Sequence, residues 1–326
     1  MKKTKIIAVF LLFAVLLLPA QAHAAAAEDH IKWVDFTLTA PLLKRAAEID
    51  IATYGTERHV SWIDLLACLA ARCGGTFSKA SLDDLNALAE RYGSGEAFDD
   101  MTANAKLLVY YREAYDAALG GLLCRYTAYE AADDGTVKQT EQYGVCAAGP
   151  LARGYSYSHF DDFGVSRDYG YKRRHLGHDM MGSVGTPVTA VEAGYVEACG
   201  WNQYGGWRVG IRSFDGKRYY YYAHLRRGHP FCDVYEGKTV AAGEVIGYLG
   251  MTGYSAKEDV NNISVPHLHF GLELIFVPEQ KDGWNQIWID VYELVKFLEP
   301  YRVCVLAGDN KEYYSRTTRV PAEFWE

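Results

Sequence analysis

Over residues 31–124 the apolar positions recur every three or four residues, the spacing that lines one face of a helix. Ser61-x-x-Asp64 and Ser81-x-x-Asp84 have the spacing of helix N-terminal caps, and each opens such a run. The first run carries Leu65, Leu66 and Leu69 and ends near Gly74-Gly75; the second carries Leu82, Leu85 and Leu88 and stops at Gly93. A third passes from Thr102 through Leu107, Leu108, Tyr111 and Tyr115 to Gly120-Gly121, and an earlier helix is predicted over 42–51. Four helices or so make a small bundle. His59, Glu48, Glu57 and Glu90 read as solvated, and no catalytic constellation lies in this part.

The period then shortens to two. Residues 125–167 form a transition, with short strands predicted around an Asp133-Asp134-Gly135 turn. An aromatic stretch there, Tyr155, Tyr157, His159 and Phe160, suits core or cleft wall. From Tyr171 onward short alternating runs are punctuated by glycine, which predicts a compact antiparallel sheet or barrel. Phe270, Leu272 and Leu274 alternate with Gly271 and Glu273, so His267 and His269 fall on one face of a strand, roughly 7 Å apart at the backbone. Beyond Leu274 come a polar stretch with Pro278, a helix over 290–297 and an extended segment over 302–306. The fold class is α+β, a small N-terminal helical bundle followed by an antiparallel β domain. The predicted division is 1–24, 25–125 (helical), 126–167 (transition), 168–280 (β core) and 281–326 (C-terminal helix and strand).

The first 24 residues stand apart. Met1-Lys2-Lys3-Thr4-Lys5 is a basic start, residues 6–18 are an unbroken apolar run, and Ala22-His23-Ala24 offers a small-x-small site. That order describes a secretory signal peptide, predicted to be cut after Ala24, and the run is short for a membrane span. An uncleaved N-terminal anchor is the alternative, and no other segment reads as membrane-crossing. The net charge is −8, and removal of three signal lysines with no acids makes it −11. An acidic exported chain is a poor nucleic-acid binder. Seven cysteines is an odd count for such a chain, so at least one thiol is left over. Cys68 and Cys73, about 140° apart around a predicted helix, should not bridge each other. Most of the seven read as small buried residues; no Cys-x-x-Cys occurs, which argues against a thiolate zinc site, and no disulfide can be assigned.

Three stretches of the β region carry candidate chemistry. In His175-Leu176-Gly177-His178-Asp179, extended backbone would hold His175 and Asp179 roughly 13 Å apart, whereas a turn at Gly177 brings both donors to one ion. His178 is the rival ligand, but it neighbours Asp179 and points to the opposite face of a strand. The second stretch is Tyr219-Tyr220-Tyr221-Tyr222-Ala223-His224-Leu225; the third is the His267/His269 pair. His175, Asp179 and one of His267 or His269 make three ligands, which leaves a fourth position open, as in catalytic zinc sites. The other member of the pair and His224 remain as imidazoles that can move a proton or stabilise an oxyanion. Amide hydrolysis is the reaction that needs these parts.

With these stretches stand Gly185-Thr186-Pro187-Val188, Ala190, Gly194, Tyr222-Ala223-His224-Leu225, Gly237, Val240, Gly243, Ile246-Gly247, Gly250, Thr252, Gly253 and His267-Leu268-His269-Phe270. In this order, over residues 171–275, they resemble the M23 peptidases, the lysostaphin/LytM-type zinc endopeptidases of peptidoglycan. The resemblance implies one zinc ion on His175, Asp179 and His269, His267 as general base and acid, and His224 as its partner at the transition state. It also implies a small antiparallel β core with the metal at the base of a groove, and a secreted or cell-wall location with peptidoglycan peptides as substrate. The family's glycine- and serine-rich approach to the last motif is replaced here by Lys257-Glu258-Asp259-Val260-Asn261-Asn262-Ile263-Ser264. A catalytically silent scaffold or activator of sporulation or division is the competing expectation; such domains usually lack a ligand, whereas this chain keeps all five positions. The D-alanyl carboxypeptidase type would need a Glu-x-x-His, which does not accompany these residues.

Overall fold

A computed structural model describes residues 30–77, 80–168, 172–308 and 312–322. The predicted signal peptide lies outside the described residues. Residues 31–326 form one compact unit.

Four helices come first: α1 (Ala40–Thr53), α2 (Trp62–Cys73), α3 (Leu82–Gly93) and α4 (Ala105–Leu119). Their ends follow from local chemistry. Ser61 and Ser81 accept the backbone N–H of Asp64 and Asp84, and the Asp84 carboxylate accepts the Ser81 N–H in return. Gly74 closes α2 in the left-handed conformation, φ 63°. The cap of α4 is Asn104. None of the helices among the described residues is long and apolar enough to cross a membrane. His59 is only partly solvated: about a third of its side chain is exposed (34%), and its Nε2 lies 2.8 Å from Asp50 Oδ1. The buried Asp50 carboxylate also accepts the Tyr143 hydroxyl and the Trp62 N–H, and so repays the cost of its burial.

The chain then turns all-β. Strands β1 (Leu123–Ala131) and β2 (Val137–Val145) form a hairpin around the Asp133-Asp134-Gly135 turn, with Gly135 at φ 83°. They are longer than expected, and β1 begins inside the stretch read as helical. Next come β3 (Tyr157–His159), β4 (Ser166–Asp168), β5 (Lys172–Arg174), β6 (His178–Gly182), β7 (Pro187–Thr189), β8 (Gly194–Asn202), β9 (Gly206–Ser213) and β10 (Arg218–Ala223). The remaining elements are β11 (Thr239–Val240), β12 (Val245–Tyr248), β13 (His267–Leu274), β14 (Ile287–Ile289), α5 (Tyr292–Leu298), β15 (Val305–Ala307), β16 (Tyr313–Ser315) and β17 (Thr317–Pro321). An antiparallel sheet of order β11-β8-β9-β10-β13-β6-β3 carries the site, with β14 continuing the β6 edge of β13. The last strand, β17, pairs with β1, so the C-terminal end completes the β1–β2 hairpin.

Strand β13 sorts its side chains by parity. Leu268, Phe270, Leu272 and Leu274 are fully buried and join an apolar cluster that extends from Val34 to Leu298. His267, His269, Gly271 and Glu273 take the other face. A bidentate ion pair connects the helices to the sheet: Arg218 donates to both oxygens of Glu192 (2.7 and 3.1 Å), to Asp215 (2.7 Å) and to the carbonyl of Ala117 near the C-terminal end of α4 (2.8 Å). Arg218 is 1% exposed.

Candidate metal centre

Strand pairing assembles the site. Along β13 and β6, His269 lies opposite Asp179; along β13 and β10, it lies opposite Ala223, which precedes His224. Residues directly paired across an antiparallel ladder share a face. The same register sets His178 opposite Phe270, on the core side. His178 is 1% exposed and its Nε2 meets His159 Nδ1 at 2.8 Å, away from the other donors.

His175 reaches the group from the turn between β5 and β6. Its Nε2 lies 3.0 Å from Asp179 Oδ1 and 3.0 Å from His269 Nδ1, and His269 Nδ1 lies 3.0 Å from the same Oδ1. Gly177 does more than turn the chain. A Cβ at this position would stand 2.5 Å from His269 Nε2 and 3.0 Å from the Phe270 carbonyl oxygen, so only glycine leaves room for the ring.

The two remaining imidazoles are held by carbonyls. His267 Nδ1 lies 2.8 Å from the Val265 carbonyl oxygen and His224 Nδ1 2.8 Å from that of Thr252. Because a carbonyl only accepts, each Nδ1 carries the hydrogen, and each Nε2 keeps its lone pair for the site. His267 Nε2 lies 3.6 Å from Asp179 Oδ1, and the His224 and His267 ring centroids are 4.8 Å apart. His224 adopts φ 61°, a conformation that costs a non-glycine residue roughly 1–2 kcal/mol. Tyr254, φ 47°, packs on the His224 ring at 5.9 Å. Strain gathered at one spot marks functional sites.

Two residues of the 126–167 transition segment that no sequence motif marks, Asp162 and Arg167, belong to the site. The β4–β5 hairpin carries residues 162–167 back across His175, whose backbone N–H donates to the Val165 carbonyl. Asp162 meets His175 Nδ1 through its carbonyl oxygen at 3.1 Å and its carboxylate Oδ2 at 3.2 Å. The Arg167 guanidinium donates to that Oδ2 at 2.5 Å and to Asp179 Oδ2 at 2.7 Å. With Oδ2 engaged, Asp179 keeps Oδ1 for the two imidazoles. The signal that could have found them is general: an imidazole that binds a metal through one nitrogen hands its other N–H to a carboxylate or carbonyl.

The electrostatics suit a cation. Burial would push the Asp179 carboxyl up, but hydrogen bonds from His175 and His269 outweigh it and hold the group far below the usual carboxylate range. Burial holds His224 and His269 down, assisted for His224 by the neighbouring imidazoles. It also pulls on His175, but Asp162 and Asp179 outweigh it and push that imidazole up to about 9. Zinc takes imidazole nitrogen and carboxylate oxygen at about 2.0–2.2 Å in a tetrahedron, which sets its ligands about 3.3 Å from one another. The observed 3.0 Å spacings of two imidazoles and one carboxylate fit that donor set. A cavity of about 310 Å³ opens beside it, lined by Arg167, His224, Tyr254, Ser264 and His267. The 257–264 loop forms part of its wall, braced where Asp259 accepts the Trp207 indole and the Gly228 N–H, both at 2.8 Å. A larger groove of about 680 Å³ between α1 and α5 has no part in this donor set.

Comparison with known proteins agrees with the geometry. The profile of peptidase family M23 matches residues 173–281. The L-Ala–D-Glu endopeptidase of Bacillus subtilis (strain 168) is 35% identical over 156 residues, 47% of this chain and 44% of that protein. Lysostaphin of Staphylococcus staphylolyticus is 38% identical over 97 residues, 29% of this chain and 18% of that protein. The peptidoglycan DD-endopeptidase ShyC of Vibrio cholerae is 36% identical over 101 residues, 31% of this chain and 20% of that protein. The chain thus spans less than half the length of each of these relatives.

Proposed function

Since residues 173–281 are a peptidase family M23 domain, we propose that this chain is an exported zinc endopeptidase that hydrolyses peptide bonds of peptidoglycan. His175 through Nε2, Asp179 through Oδ1 and His269 through Nδ1 would hold one zinc ion. The observation that carries the reading is the convergence of these three atoms, 3.0 Å from one another, with two further imidazoles turned toward them. A zinc ion held there would supply Lewis-acid chemistry, activating water and polarising a carbonyl at neutral pH.

The protein's own groups handle the proton. His267, its Nδ1–H fixed on Val265, offers Nε2 as the base that takes a proton from water and returns it to the leaving amine. His224, fixed in the same tautomer by Thr252, also presents a lone pair. It therefore donates a hydrogen bond to an oxyanion only after taking up a proton, so its stabilising role follows proton transfer. Arg167 and Asp162 hold Asp179 and His175 in place.

Relatives named for L-Ala–D-Glu and peptidoglycan DD-endopeptidase activities support the wall peptide as substrate, and with it action outside the cytoplasm. All five side chains are present, which favours an enzyme over a silent scaffold. The test is zinc content and release of soluble fragments from purified peptidoglycan. His269→Ala should lose both, whereas His267→Ala should keep zinc and lose about 10²–10⁴-fold in rate. Fragment release untouched by either substitution would overturn the proposal.

A further inference from the structure

Beyond the hydrolytic site, we infer that Cys124 and Cys146 form a disulfide that closes the base of the β1–β2 hairpin. The ladder sets Cys124 opposite Gly144, and Cys146 follows two residues later, just past the end of β2. Cys146 prolongs the pairing by one rung, since its N–H donates to the Leu122 carbonyl at 3.0 Å. Residues i and j+2 of an antiparallel pair are diagonal neighbours on one face, so the two side chains meet. Their sulfurs lie 2.7 Å apart, within about 0.7 Å of the length of a sulfur–sulfur bond.

The surroundings point the same way. Cys146 is 1% exposed, Cys124 half-buried, and the two share a small apolar cluster with Tyr126 and Ala128. Four of the other five cysteines, Cys68, Cys73, Cys199 and Cys232, turn their sulfurs to backbone carbonyls, and Cys304 is exposed; Cys146 Sγ likewise lies 3.1 Å from the Gly121 carbonyl oxygen, so what sets Cys124 and Cys146 apart is the approach of one sulfur to the other. Burial, and then the contact with Cys124, pushes the Cys146 thiol up, so the half-buried Cys124 is the sulfur that an external reagent meets first.

The reaction is thiol–disulfide exchange with an organic disulfide, supplied by a small molecule or an oxidoreductase. Cys124 gives its proton to solvent, and its sulfur attacks one sulfur of the reagent, which expels the other as a thiol. The Cys146 sulfur then attacks Cys124 of the mixed disulfide, and its proton leaves with the second thiol released. Two cysteine thiols are oxidised and one organic disulfide is reduced to two thiols. The bond closes a loop of about 20 residues and ties β1, already paired with β17, to the end of β2.

The experiment takes the full chain after incubation with oxidised glutathione. It is denatured, alkylated without reductant, digested and read by mass spectrometry. Five alkylated cysteines of the seven, with one cross-linked peptide pair joining 124 to 146, are expected. On addition of reductant the melting midpoint of the oxidised chain should fall by several degrees, whereas that of Cys124→Ser should not move. Seven alkylated cysteines, or a cross-link through a different pair, would overturn the inference; the peptide map reads the wild-type chain and so does not depend on how the variant folds.

Discussion

Asp162→Asn isolates what the hairpin over the metal centre contributes. In the native protein His175 Nδ1–H faces two acceptors on the same residue, the carbonyl at 3.1 Å and the carboxylate Oδ2 at 3.2 Å. The substitution removes the charge and leaves the carbonyl. Arg167 loses its 2.5 Å partner but keeps Asp179 Oδ2 at 2.7 Å. Loss of a carboxylate behind a metal-binding imidazole costs about 10–100-fold in affinity. Because one acceptor survives, the expected loss sits near the low end, about tenfold or about 1.4 kcal/mol. Zinc affinity would be measured by competition with a chromophoric chelator, and hydrolysis of purified peptidoglycan would be followed in saturating zinc. Affinity should fall about tenfold while the rate at saturation stays within a few fold of wild type, since no group that moves the proton is touched. Unchanged affinity with a collapsed rate would refute the positioning role of Asp162.

Gly177→Ala puts a methyl group 2.5 Å from His269 Nε2. The ring must swing away, so zinc affinity should fall while the melting midpoint stays near wild type; retained affinity would count against the tight fit. Arg218→Met strands the Glu192 carboxylate beside α4, and a loss of about 3–5 kcal/mol in denaturant-derived stability is expected. Glu273, 1% exposed with Oε1 lacking a hydrogen-bond partner, is pushed by burial, against Arg212, from 4.5 up to about 8. The native state therefore keeps a proton that the unfolded chain sheds, so stability from this group is complete below pH 4.5 and is lost as pH rises through 8. Glu273→Gln should flatten that decline, which is at most about 1.4 kcal/mol per pH unit, in denaturation curves taken between about pH 5 and pH 8.

The site was legible in the sequence wherever its geometry is local or periodic. Period two set His267 and His269 on one face, and the adjacency of His178 and Asp179 set them on opposite faces; the ladder pairs Asp179 with His269 and His178 with Phe270 accordingly. Capping serines marked α2 and α3 because a cap is a three-residue bond. What stayed hidden depends on pairing across long separations. Nothing near Arg218 in the chain announces Glu192 or the carbonyl of Ala117, and nothing in residues 317–321 announces β1. Asp162 and Arg167 went unseen for a related reason: one precedes and the other lies in a three-residue strand too short to show a period, and only the β4–β5 hairpin brings them over His175.

Strand parity also explains why chemistry and stability are hard to separate along β13. A shift of one residue would turn Leu268, Phe270, Leu272 and Leu274, all fully buried, toward the site and send both imidazoles into the core. Burial of each large apolar side chain is worth roughly 1.5–3 kcal/mol, so four of them oppose the shift by several kcal/mol before the imidazoles are counted. The histidines thus need no bonds of their own to stay in register. The core on the far side of the strand sets their position, and the bonds they do make, to Val265 and through Asp179, are left to set tautomer and ring orientation. Strand β13 supplies two of the five groups, His267 and His269, and pairs directly with a third, Asp179, while the strained His224 and the returning hairpin supply what the strand alone cannot.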